Sequence, residues 1–170
     1  MKTKYNIIAF LVIGLLGTLS HFVYEWSDFN KVVGYFFATN ESTWEHLKLL
    51  FFPTILFSII EYFFVKKEIT NYIPTVIISV IVGMVSIIIL FYSYKGVLGY
   101  GIDAINIAIF YIALIISLIV KNKIIESELF SSTNANLLFL LLGVFITFLF
   151  VNFSYSPPAL GIFTPPVSEW

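Results

Sequence analysis

Five apolar runs set the terms for this chain, at about residues 5–24, 43–66, 74–94, 102–120 and 136–153. An α-helix needs about 20 apolar residues to cross a hydrocarbon core ~30 Å thick. Inside a bilayer the backbone finds no water to bond, so such runs must close their hydrogen bonds within a helix. The expectation is an all-α integral membrane protein, a bundle of five transmembrane helices forming a single membrane domain over residues 1–170. Composition agrees, with 59% hydrophobic and 11% charged residues, the latter roughly half the share in a soluble domain. The first run has the basic start of a signal peptide, Lys2 and Lys4. It is too long for a signal's apolar core and lacks an A-x-A site, so it is read as a retained helix.

Several chemistries are excluded at once. There is no cysteine, hence no disulfide, thiolate nucleophile or cysteine-based metal site. All nine basic residues are lysine, so bidentate arginine clamps for phosphate or carboxylate are absent. No basic patch points to nucleic acid. The partners that fit are membrane lipid and, through small-residue stripes such as Ser79, Gly83 and Ser86, a second copy or another membrane protein.

Lysine placement orients the bundle. With five crossings, Lys2, Lys4, Lys66, Lys67, Lys121 and Lys123 fall on one side, and Lys31, Lys48 and Lys95 on the other. The positive-inside rule then puts the N-terminus inside and the Pro-rich tail, 155–170, outside. Pro157, Pro158, Pro165 and Pro166 bar a regular helix in that tail. Its Phe163 and Trp170 either fold back over the outer face as a lid or belong to a solvated tail. Glu61 lies about one turn before Lys66 and Lys67 and is expected to pair with them or reach the interface, a structural role.

The polar residues collect at the outer end. Asn40-Glu41-Ser42-Thr43-Trp44-Glu45-His46-Leu47-Lys48 opens the second run. Ser42 and Glu45 have capping-box spacing, so a helix should start at Thr43, with the Glu45 carboxylate reaching back to the Ser42 amide. Pro53 removes one backbone bond from that helix and opens space beside His46. Gly14, Gly17, His21 and Glu25 recur at helical spacing on the first run, which places His21 and Glu25 on a packed face. The segment 29–38 between the two runs is too short to span and suits an interfacial or re-entrant piece.

His21, Glu25, Glu41, Glu45 and His46 thus lie at one depth, with Asp103 at the start of the fourth run a further candidate. Two imidazoles and several carboxylates suit Zn²⁺, Mn²⁺ or Fe²⁺. The metal-ligand candidates are His21, Glu25, Glu41 and His46. The catalytic candidates are His21, Glu25, Glu45 and His46, with capping competing for the Glu45 carboxylate. No H-E-x-x-H motif is present, and a structural polar network joining the first two helices explains the same residues.

His21-Phe22-Val23-Tyr24-Glu25-Trp26, followed by the Asn40–Lys48 stretch, resembles a family of small bacterial multi-pass membrane proteins of unassigned function that share N-E-S-x-W-E-H-x-K. The resemblance is specific over residues 19–53. It implies a bacterial cell membrane and carries no activity. Three function classes stay open: a metal-assisted hydrolase or transferase acting on a lipid or peptide, with a divalent metal such as zinc; a small-solute or cation transporter; and an assembly partner of another membrane protein.

Overall fold

The computed structural model describes residues 3–65, 69–127 and 129–165. Among these the chain is all helical: α1 (Thr3–Ser20), α2 (Val23–Trp26), α3 (Lys31–Gly34), α4 (Thr43–Val65), α5 (Tyr72–Leu98), α6 (Asp103–Ile125), α7 (Thr133–Phe153) and a 3₁₀ turn, Gly161–Phe163. Four of them, α4, α5, α6 and α7, are long and apolar enough to cross a membrane, and α1 is a shorter apolar helix. Large apolar side chains such as Leu11, Leu15, Phe63, Ile89, Leu138 and Leu141 point outward. A soluble domain does not expose apolar surface on this scale; lipid would cover it.

Helices α1, α4, α5 and α6 form a ring of neighbours, and α7 packs on α5. The contact of α1 with α4 depends on two residues. Pro53 has no N–H to give to the Leu49 carbonyl one turn earlier. That carbonyl faces Gly17, where a Cβ would sit 2.6 Å from the oxygen and 2.5 Å from the Phe110 ring. Glycine lets α1 approach a backbone carbonyl that proline has left unpaired. At the far end of α5 the chain must turn sharply. Gly99 takes φ 84°, and its N–H bonds the Lys95 carbonyl at 2.8 Å, the left-handed ending in which glycine carries no steric penalty.

α1 ends sooner than helical spacing suggests. It stops at Ser20, and the bonds His21 N–H to Thr18 O and Phe22 N–H to Leu19 O close the turn. Glu25 therefore lies on the separate turn α2 and not on the α1 face. Residues 21–42 fold into a small cap over this end of the bundle. Asn30 Oδ1 accepts from the N–H groups of Val32 and Val33 and starts α3. The cap is pinned from below by Lys48. Its ammonium is buried and donates to Gly34 O at 3.0 Å, Phe37 O at 3.3 Å, Glu45 Oε2 at 2.7 Å and Ser154 Oγ at 2.6 Å. One side chain of α4 thus ties the cap to the end of α7.

That clamp also changes the expected capping box. α4 does start at Thr43, and Ser42 Oγ accepts from the Glu45 N–H at 3.4 Å. The return bond is not made. Glu45 Oε2 instead takes Lys48, the Thr39 N–H and the Thr39 hydroxyl, and the Ser42 N–H goes to Asn40 Oδ1 at 2.9 Å. A buried ammonium attracts a carboxylate more strongly than one backbone amide does. The tail turn packs Phe163 on Trp44 and Phe153, with ring centroids 4.8 and 5.4 Å apart. Trp170 lies outside the described residues.

Candidate metal centre

Glu41 stands at the middle of the polar cluster. Its Oε1 lies 3.4 Å from His21 Nε2 and its Oε2 3.3 Å from His46 Nε2. Ligand atoms of all three residues lie within 4.8 Å of one another. His21 comes from the turn after α1, Glu41 from the cap, and His46 from the first turn of α4. The side chains of His21 and His46 keep 34% and 31% of their exposure and Glu41 keeps 61%, so water and ions reach the cluster.

The local bonds fix which nitrogen is on offer. His46 Nδ1 is 2.9 Å from the Ser42 carbonyl. A carbonyl only accepts, so Nδ1 carries the proton and Nε2 is left to face Glu41. A backbone carbonyl on the remote nitrogen is the usual support for a metal-bound imidazole. Neutral Nε2 and a carboxylate oxygen are both acceptors, so something positive belongs between them. A proton is one answer: the Glu41 contact raises the His21 pKa against the opposing effect of burial, and the two histidines hold the Glu41 carboxyl far below its ordinary range. A metal ion is the other. Imidazolium–carboxylate hydrogen bonds close to ~2.7–2.9 Å, shorter than the separations here. A tetrahedral ion with bonds of ~2.0–2.2 Å holds its ligand atoms roughly 3.3–3.6 Å apart. Here the two His–Glu contacts use different oxygens of Glu41 and the ligand atoms spread over up to 4.8 Å, so the three side chains must draw together around an ion.

The other candidates are placed differently. Glu25 is exposed on α2 and acts on His21 only through its charge. Glu45 is buried and taken up by Lys48 and Thr39, as described above. Asp103 is exposed at the N-terminus of α6 and lines the same cleft as Glu41 and His46. That cleft has a volume of about 620 Å³ and opens between the ends of α4, α5 and α6. Glu41, His46, Lys95 and Asp103 form its polar rim.

Residues 1–169 match the family of unknown function DUF6512. The chain belongs to that family. No curated protein and no solved structure matches it. Membership in DUF6512 brings no activity with it, so the chemistry has to be argued from the side chains.

A second charged group lies at the opposite end of the bundle. Glu61 of α4 pairs with Lys121 of α6, and both are buried. The Tyr72 hydroxyl donates to Glu61 Oε2 at 2.5 Å and approaches the Ser58 carbonyl at 2.9 Å. From sequence, Lys121 reads as the first residue of a polar loop and Glu61 as a partner of Lys66 and Lys67. α6 instead continues to Ile125 and carries Lys121 into the bundle, while Lys66 and Lys67 lie outside the described residues. Apolar residues on both sides of Lys121, Leu118, Ile119 and Val120 before it and Ile124 and Ile125 after it, were the available signal.

Proposed function

We propose that this membrane protein binds a divalent transition metal through His21, Glu41 and His46 and uses it for hydrolysis or group transfer on an amphiphile at the membrane surface. The observation that carries the reading is the convergence of two imidazole Nε2 atoms on one carboxylate, with the His46 tautomer set by the Ser42 carbonyl. Three protein ligands beside an open cleft leave a coordination position for water, the arrangement catalytic zinc sites use. A bound ion would lower the pKa of that water, and Asp103 on the cleft rim is the group placed to take its proton. Glu25 and Glu45 fall outside this ligand set.

Five crossings belong to the same proposal. α1 has 18 residues, about 27 Å at ~1.5 Å per residue, close to the thickness of a bilayer core. It packs within the ring of spanning helices. The lysine distribution supports an inner N-terminus and a metal centre on the outer face, and the sequence resemblance supports a bacterial cell membrane.

Elemental analysis of protein purified without a metal-chelating tag tests the core of this. About one equivalent of zinc, manganese or iron is expected. His21→Ala, Glu41→Gln and His46→Ala should each remove it, while Glu25→Gln retains it. A metal-free wild type that stays metal-free after incubation with each ion would refute the proposal and leave the polar-network explanation.

A further inference from the structure

The cleft beside the metal centre also indicates what enters it. Below its rim the walls are mainly apolar: Leu49 from α4, Ile87 and Phe91 from α5, Ile109 and Phe110 from α6. Thr43 and Asn106 are the polar exceptions, engaged by Tyr92 and Tyr94. Lys95 and Ile87 lie eight residues apart on one helix, so the apolar part reaches about 12 Å below the rim at ~1.5 Å per residue. The volume is in the range of small-ligand sites, ~300–1,000 Å³. The shape is a polar mouth over an apolar well.

Charge on the rim sets the head. Among the described residues neither Lys95 nor Asp103 has an ion-pair partner, although both line the cleft. Lys95 Nζ rests 5.6 Å from the centroid of the Phe91 ring, at the top of the well. Two carboxylates, Glu41 and Asp103, offset one divalent ion, and the Lys95 ammonium remains uncompensated. An anionic head completes the balance. A peptide fits less well. Apart from the Leu49 carbonyl, which faces Gly17, the main chains of α4, α5 and α6 are bonded within their helices, so an inserted peptide backbone would be buried almost without partners. A hydrocarbon tail has nothing to leave unpaired.

Resting on the metal reading above, we infer that the cleft takes a single-chain anionic amphiphile, a lipid whose phosphate or carboxylate lies between the metal centre and Lys95 and whose tail fills the well down to Ile87. Lys95 is then a specificity residue, and Ile87 marks the end of the tail.

The chain has no cysteine, so a single introduced thiol reports on its own position. Ile87→Cys protein, loaded with zinc in phosphatidylcholine nanodiscs, is treated with a small methanethiosulfonate reagent with and without dodecyl phosphate. Leu141→Cys on the outward face of α7 serves as control. Dodecyl phosphate should slow modification at position 87 about tenfold and leave position 141 unchanged. Lys95→Gln should raise the half-protecting concentration about three- to fivefold, the scale of one partly exposed charge pair, with zinc content unaltered. Three results would overturn the inference: no protection at position 87, equal protection by dodecyltrimethylammonium, or protection by an apolar decapeptide in place of the phosphate. Zinc uptake without protection sinks the lipid and keeps the metal. Protection in a protein that takes up no zinc keeps the lipid and sinks the metal.

Discussion

Helices α4 and α6 sit across the ring from one another and carry charge toward both ends of the bundle, and the two ends are built in opposite ways. At one end Glu61 and Lys121 are 4% and 2% exposed and meet directly, with Tyr72 donating to the same carboxylate. At the other, α4 and α6 stand apart, a cleft of about 620 Å³ lies between them, and Glu41 and His46 face it half wet. The first end is sealed: each charge has a partner, and removing one leaves the other buried alone. The second is open, and its groups keep bonding capacity for something from outside. Ionisable residues in a membrane protein are costly and invite a functional reading. The comparison says where to apply it. Charge that is dry and paired holds helices together, and charge that is wet and open to the cleft is available for chemistry.

The largest expected effect tests the sealed end. Lys121→Met strands Glu61 and should cost about 3–5 kcal/mol of unfolding free energy in detergent. Glu61→Leu combined with Lys121→Met should recover most of it, because an apolar pair replaces an ion pair at little net cost. A double variant as weak as the single one would mean that the pair does more than join α4 to α6. Next is the α1 contact. Gly17→Ala must displace either the Phe110 ring or the Leu49 carbonyl, an overpacking worth roughly 1–3 kcal/mol, read from the thermal midpoint. Ser42→Ala removes the acceptor of the Glu45 N–H and should cost about 0.5–1 kcal/mol, the low side of capping losses, since the bond is 3.4 Å long. The smallest stability change belongs to the open end. His21→Ala should shift unfolding by less than about 1 kcal/mol, as partly exposed ion pairs do, yet abolish metal binding. If His21→Ala destabilises as much as Lys121→Met, the two ends are alike and the cluster is structural.

The sequence carries the helices and their approximate ends because lipid burial writes itself into long apolar runs. The start of α4 is legible for a local reason, since Ser42 bonds a residue three positions on. The Glu45 half of the same motif is not, because it depends on Lys48 and on Thr39 across a turn. His21, Glu41 and His46 can be suspected together only from shared depth. What joins them is the cap, whose turn passes through Asp28 and Phe29 at φ 55° and 57°, a conformation that Asp tolerates better than most residues but that Phe does not advertise. Glu25 looks like a member of the cluster as long as α1 is drawn through it. Two short turn bonds after Ser20 move it away. The Glu61–Lys121 pair spans 60 positions, beyond any spacing rule.

Lys48 has a consequence for how the protein is made. Synthesis runs from the N-terminus, and helices enter the membrane in that order. By the time α4 is in place, Gly34, Phe37 and Glu45 already exist for Lys48 to bond. Ser154 does not; it is 106 residues further on and follows α7. Until that last helix has been inserted, the three N–H groups of Lys48 have only the cap and α4 to bond, and the cap that carries Glu41 lacks its final anchor. The candidate metal centre is composed of early residues and locked by a late one, so a chain cut short before α7 has every proposed ligand and no finished site.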